Sequence, residues 1–271
     1  MIITDNHIFV HIPKTGGKSV AEFIEQNKEC LSTHQDNFII KIREPEEGTL
    51  DAPHVPLNYC SHIPIRWIGR YDMEHSFKVK FCTIRNPWDW YISYYFYADV
   101  KSKRFWQQKL DQEFVENFNQ WIRKMLNHEY LDAECWNPSR IYSDYQNYPL
   151  LRRFQHMKKF DIGLYTQMFL DYCLVLDLDD IEKGQLSADL IKSRLGINKV
   201  CKLETLKNDL LSMFNKGKIQ LQNEDIPHIQ KTERPYPFNF LESRYDFYEE
   251  ETKNLIYEKD NLFVEKYRYQ F

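Results

Sequence analysis

The amino-acid sequence predicts an α/β fold, three layers deep, with a mostly parallel central sheet between helices. Three observations carry this reading. Short apolar runs with strand character alternate with longer segments of helical period. One of those runs, Ile8–Ile12, feeds a glycine turn that opens a helix. The 271 residues contain no linker, repeat or low-complexity tract, so residues 1–271 read as a single domain large enough for a well-buried core.

The elements follow in order. Ile8–Ile12 is the first strand; it stops at Pro13, and Lys14–Gly17 forms the turn. Ser19–Asn27 places Val20, Phe23 and Ile24 on one side of a helix. Phe38–Ile42 and Leu57–Ser61 are strand candidates, and Val79–Ile84 alternates apolar with polar residues as a third strand should. Pro87 suits a first helical position, and Trp88–Val100 continues that helix. Residues 105–130 carry the helical stripe Phe114, Phe118, Trp121, Ile122 and Met125, which reads as core. Residues 132–160, with Pro138, Pro149 and several tyrosines, read as an irregular excursion; the whole span 100–160 is expected on the acceptor side of any active site. Cys173–Leu178 and Val200–Leu203 are further strands, with helices at about 204–215 and 244–258.

A net charge of −4 argues against a general polyanion binder, so no nucleic-acid partner is expected and any anion site must be local. None of the six cysteines forms a C-x-x-C pair; Cys60, Cys82, Cys173 and Cys201 lie in or beside apolar runs and read as buried, reduced thiols. Residues 1–12 are too short and polar for a secretory leader, and no run is long enough to span a membrane. A cytoplasmic enzyme, or a soluble form lacking a membrane anchor, is the expectation.

The chemistry concentrates in Phe9-Val10-His11-Ile12-Pro13-Lys14-Thr15-Gly16-Gly17-Lys18-Ser19. A strand, a tight Gly-Gly turn and a helix start direct several backbone N–H groups at one spot, where the helix dipole adds positive charge. Lys14 and Lys18 add full charges, and Thr15 and Ser19 add hydroxyls. The product is a phosphate or sulfate pocket. A P-loop of an ATP-binding enzyme needs G-x-x-x-x-G-K-[ST]; Gly17-Lys18-Ser19 supplies the end of it, but Ile12 stands where the first glycine belongs. A kinase stays open as an alternative, because Cys173–Asp177 could form a magnesium-binding strand end.

A second anion motif is Arg85-Asn86-Pro87, at the end of the Val79–Ile84 run, with Ser93 eight residues after the arginine. Arg85 can fork onto a phosphate, and Ser93, two helical turns on, can reach the same group. Together, HIPKTGGKS and the Arg85–Ser93 segment resemble the donor-binding loops of sulfotransferases that use 3′-phosphoadenosine 5′-phosphosulfate (PAPS), in particular the glycan-modifying branch that includes heparan sulfate 2-O-sulfotransferases. The resemblance implies a P-loop-like sulfotransferase fold. It implies that Lys14, Thr15, Gly16, Gly17, Lys18 and Ser19 hold the 5′-phosphosulfate, and that Arg85 and Ser93 hold the 3′-phosphate. Two departures stand out: Lys18 where threonine is common, and Trp90 where relatives carry a basic or variable residue. Further on, Val200–Leu206 is similar to the family's strand and Glu-x-Leu helix start. Lys231, Thr232 and Arg234 fall where relatives have a late loop near the nucleotide.

Sulfonate transfer needs in-line placement and stabilisation of charge on the departing phosphate. Lys14 is the candidate for the second task, and no metal is expected. His62 is the candidate base: it follows Leu57–Ser61, an imidazole titrates near neutrality, and Ser61-His62-Ile63-Pro64 resembles the family's His-x-Pro segment. His54, His34 and Glu44 are reserves. The acceptor expected from the glycan-type loops is a carbohydrate hydroxyl. A nucleotide- or glycan-binding module without turnover is the non-enzymatic alternative.

Overall fold

A computed structural model describes residues 1–4, 6–27, 40–41, 64–67, 77–100, 112–129, 150–214 and 244–271. In order, they form β1 (Ile2–Ile3), β2 (His7–Val10), α1 (Gly17–Gln26), β3 (Ile40–Lys41), β4 (Val79–Ile84) and α2 (Pro87–Val100). These are followed by α3 (Gln112–Leu126), α4 (Leu150–Phe160), α5 (Leu164–Cys173), α6 (Ala188–Arg194), β5 (Lys199–Lys202), α7 (Leu206–Phe214), α8 (Glu250–Lys259) and α9 (Asn261–Tyr267). The class is α/β. The chain sorts into two compact units, each assembled from three stretches: one from 1–85, 171–177 and 191–236, the other from 86–170, 178–190 and 237–271.

The first unit holds the sheet, in the order β3-β1-β2-β4-β5. Strand β2 pairs parallel with β4, and β4 with β5, while β1 runs antiparallel to both β2 and β3. The sheet is therefore mixed rather than mostly parallel. The antiparallel part comes from a tight reversal that the sequence signals poorly. Thr4 N–H donates to the His7 carbonyl (2.8 Å) and His7 N–H returns to the Thr4 hydroxyl (3.0 Å), so a two-residue strand can fold straight back.

Period-2 alternation puts Phe9, Phe81 and Cys201 on one face, where they join Ile2 of β1, with Val20, Phe23 and Ile24 of α1, and Leu206, Leu210 and Phe214 of α7. Ile8, Val10, Cys82 and Ile84 alternate to the other face and are equally buried, as expected of parallel strands covered on both sides. His7, half-buried, packs its ring 4.4 Å from that of Phe214, and burial pushes its pKa down to about 4, so it is neutral at physiological pH. Cys82, Cys173 and Cys201 are buried, and burial first of all pushes the Cys201 thiol up to about 12.

The second unit is helical. Trp90 on α2 is fully buried between the rings of Tyr94 (4.6 Å) and Tyr165 (4.8 Å), both nearly parallel to it. The departure at position 90 is thus a core choice. On α3, Phe118, Ile122 and Met125 are buried, as their spacing requires. Asp260 lies fully buried at the α8–α9 junction. It accepts from the Tyr91 hydroxyl (2.7 Å), the Thr166 backbone N–H (2.8 Å) and the Thr166 hydroxyl (2.7 Å).

Two expected elements are corrected. Residues 150–160 are helix α4 rather than irregular chain: once Pro149 is passed, LLRRFQHMKKF holds no breaker and buries Phe154 and Met157 three apart. Cys173–Leu178 is not a strand. Helix α5 ends at Cys173, Leu174 makes one isolated bridge to Leu195, and a short 3-10 turn begins at Leu178. A continuous apolar run does not separate a buried helix end from a strand. The expected strand Leu57–Ser61 lies outside the described residues. Among the described residues, no helix is long and apolar enough to cross a membrane.

Candidate functional site

The carboxyl ends of three neighbouring parallel strands, β2, β4 and β5, form one edge of the sheet in the first unit. In open α/β sheets such edges hold ligands. Strand β2 leaves through Ile12–Gly16 into α1. Within that turn Lys14 has φ 67° and Gly16 φ 85°, both left-handed, with Thr15 between them. For lysine that backbone costs on the order of 1–3 kcal/mol, a strain that collects at functional loops. Alternating backbone hand turns successive N–H groups toward one side, an anion-accepting arrangement.

Gly16 precedes helix α1 and, without a side chain, cannot cap it, and the first turn of the helix contains no acid. Its dipole is therefore not countered from within its own first turn. Lys14 is half-buried in the turn and Lys18 is exposed on α1, with Ser19 half-buried beside it.

Each central residue of the turn is held by a different strand end. Thr15 is fully buried; its hydroxyl donates to the Ile12 carbonyl (2.8 Å) and lies 2.9 Å from the Thr83 hydroxyl of β4. A Cβ on Gly16 would fall 2.4 Å from Cδ1 of Leu203, the residue after β5, and the positive φ would strain any side chain there. A Cβ on Gly17 would fall 1.9 Å from Cδ2 and 2.0 Å from Nε2 of His11, the residue after β2. The His11 ring is stacked on Phe9 (5.7 Å between centroids, 21° between planes).

Arg85 follows β4 directly and is half-buried. Strand β2 ends at Val10, which pairs with Cys82, and β4 runs on to Ile84, so the Lys14 turn and Arg85 leave adjacent parallel strands at the same edge. Neighbouring strands lie about 4.8 Å apart, which keeps the two basic segments within the reach of one small phosphorylated molecule. The Thr15–Thr83 hydroxyl contact fastens the two exits together.

Of the sequence-predicted residues, Lys14, Thr15, Gly16, Gly17, Lys18, Ser19 and Arg85 come together at this edge. Thr15 contributes differently from expectation. Its hydroxyl is spent on Ile12 and Thr83, which leaves its backbone N–H as the group it can offer a ligand. Ser93 is half-buried on α2, in the second unit. His62, His54, His34, Glu44, Lys231, Thr232 and Arg234 lie outside the described residues.

Sequence reading missed Thr83, Leu203 and His11 as parts of the site. The signal for Thr83 was a hydroxyl placed between Cys82 and Ile84 in an otherwise apolar strand end; for His11 and Leu203 only the fold could give it. Comparison of the chain with protein families, with curated proteins and with solved structures finds no match in any of the three.

Proposed function

We propose that this protein is a sulfotransferase that moves a sulfonate group from PAPS to a hydroxyl acceptor, most simply a carbohydrate, on a three-layer P-loop-like sulfotransferase fold. The observation that carries the reading is the common exit of the Lys14 turn and Arg85 from adjacent parallel strands, fastened by Thr15 and Thr83. A donor with a sulfonated 5′-phosphate and a 3′-phosphate has anionic groups at both ends of one nucleoside. Two basic segments side by side at a strand edge suit such a molecule.

In this reading the acceptor oxygen attacks sulfur, and the bond between sulfur and the bridging phosphate oxygen breaks. The acceptor proton passes to a base, and adenosine 3′,5′-bisphosphate leaves. Lys14 and the α1 amides stabilise the charge that grows on the bridging oxygen. Gly16, Gly17 and the Thr15 backbone let the chain close around that group, with Lys18 and Ser19 beside it. Arg85 grips the 3′-phosphate, and Ser93, Lys231, Thr232 and Arg234 are further donor contacts implied by the family resemblance. His62 takes the acceptor proton.

The kinase alternative rested partly on Cys173–Asp177 as a strand ending in a magnesium-binding carboxylate. That segment is not a strand, and Asp177 instead lies 3.4 Å from Nε of Arg66, whose Nη2 holds buried Asp171 at 3.0 Å. Calorimetric titration in EDTA tests the reading. Adenosine 3′,5′-bisphosphate should bind without metal, and ATP should not bind more tightly when magnesium is restored. Labelled PAPS with a panel of glycan acceptors then tests transfer. Magnesium-dependent binding of ATP in preference to the bisphosphate would favour the kinase. Donor binding with no transfer even in a single turnover would favour the binding module.

A further inference from the structure

We propose that His11 is the positioning residue of the Lys14–Gly17 turn: its ring is the wall against which the first residue of α1 is set, so that the turn is already shaped for its anion in the free protein. This rests on the donor reading above and adds to it a residue outside the HIPKTGGKS lysines, glycines and hydroxyls that were expected to do the binding.

The geometry begins with β2. Phe9 and His11 are two apart, and Phe9 is anchored in the core with Phe81, Val20 and Phe23. The His11 ring stacks on Phe9 at 5.7 Å and is thereby tied to the sheet rather than to solvent. From there it fills the space a side chain at position 17 would need: Cδ2, Nε2 and Cγ lie 1.9, 2.0 and 2.6 Å from where that Cβ would stand. Gly17 is therefore a glycine because the imidazole lies on it. Its own backbone is not left-handed; Gly16 carries that feature.

With Thr83 holding Thr15 and Leu203 bordering Gly16, three consecutive residues of the turn are each set by a different strand end. Gly17 is the one that begins the helix, so His11 fixes where the first α1 amides point. Preorganised amides are worth most when nothing has to move on binding. A displacement of 1 Å at such a site costs about 10²-fold.

The test is a steric exchange in the full chain, read by calorimetric titration of adenosine 3′,5′-bisphosphate with thermal unfolding as the folding control. Gly17→Ala should weaken binding about 10²-fold, because the new methyl and the imidazole cannot share the space. His11→Ala should weaken it about tenfold, and His11→Phe, which keeps a flat ring on Phe9, should restore most of that loss. The double variant His11→Ala/Gly17→Ala should bind at least about tenfold more tightly than Gly17→Ala alone. Recovery on deleting a second side chain is a sign that a merely structural role for His11 would not give.

If the wild-type chain binds and His11→Ala binds equally well, or the double variant is no better than Gly17→Ala, His11 does not position the turn. Should Gly17→Ala fail to fold, the His11→Ala and His11→Phe pair decides. If the wild-type chain does not bind the bisphosphate, the donor reading fails, and this proposal with it.

Discussion

Two helix starts in this molecule treat charge in opposite ways. At α1, in the sheet-bearing unit, the preceding residue is Gly16, the first turn carries no acid, and lysines stand at 14 and 18. At α9, in the helical unit, the preceding residue is Asp260, and its carboxylate is fully buried, held by Tyr91 and Thr166 instead of by its own helix. Both places gather backbone and hydroxyl donors. The second fills them with an internal carboxylate, so its hydrogen bonds serve packing. The first spends its hydroxyls on shape, through Thr15 and Thr83, and carries no acid in the helix's own first turn. A polar cluster alone does not mark a binding site; what matters is whether the protein supplies its own counter-charge.

Lys14 offers the sharpest way to break this contrast. On the proposed mechanism, Lys14→Ala should slow sulfonate transfer about 10³-fold while binding of the spent nucleotide falls far less, since the lysine is assigned to charge that develops only in the transition state. A loss confined to affinity, in steady-state and binding measurements, would make Lys14 a docking residue.

Asp260 tests the other side. Burial pushes its carboxyl up to about 6, against the pull of the Thr166 and Tyr91 hydrogen bonds. The folded state therefore holds this proton more tightly than the unfolded chain does. The associated stability is present below about pH 4, declines as pH rises toward 6, and changes no further above it; the whole effect is at most about 3 kcal/mol. Urea unfolding of the wild type and of Asp260→Asn across pH 4–7 should differ by that decline. Parallel pH profiles would mean that Asp260 is ionised throughout.

Arg85→Ala should weaken adenosine 3′,5′-bisphosphate by about 10–100-fold, the loss of a charge-assisted pair, and its 3′-dephospho analogue much less. Equal losses would detach Arg85 from the 3′-phosphate. The smallest effect expected is from Thr83→Val, which removes the hydroxyl facing Thr15 and keeps the shape. It should cost about 1 kcal/mol of stability, since Thr15 still donates to Ile12, together with a measurable loss of donor affinity. Stability lost with affinity unchanged would show that the Thr15–Thr83 contact is not needed to shape the turn.

Legibility in the sequence followed physical simplicity. Val79–Ile84 is a strand residue for residue as read, and the strand–turn–helix around Lys14 was visible because glycine, proline and the helical spacing of Val20, Phe23 and Ile24 are local signals. Helix α5 was not visible: LYTQMFLDYC is buried on every side, so no polar face marks its period. The two-residue β1 is too short for any pattern; β3 falls inside the strand candidate Phe38–Ile42, but its pairing runs through β1, and with β1 went the antiparallel half of the sheet.

By itself the sequence determined which segments could become strands or helices, and that the chain carries two basic turns suited to anions, because backbone geometry and local charge are properties of neighbours in the chain. Only the tertiary structure decided that β2 lies next to β4, which brings residues 14 and 85 to one edge, and that His11, Thr83 and Leu203 close on three successive residues of one turn. Strand order and close contacts depend on how apolar faces pair across long stretches of chain, and a one-dimensional pattern does not specify that pairing.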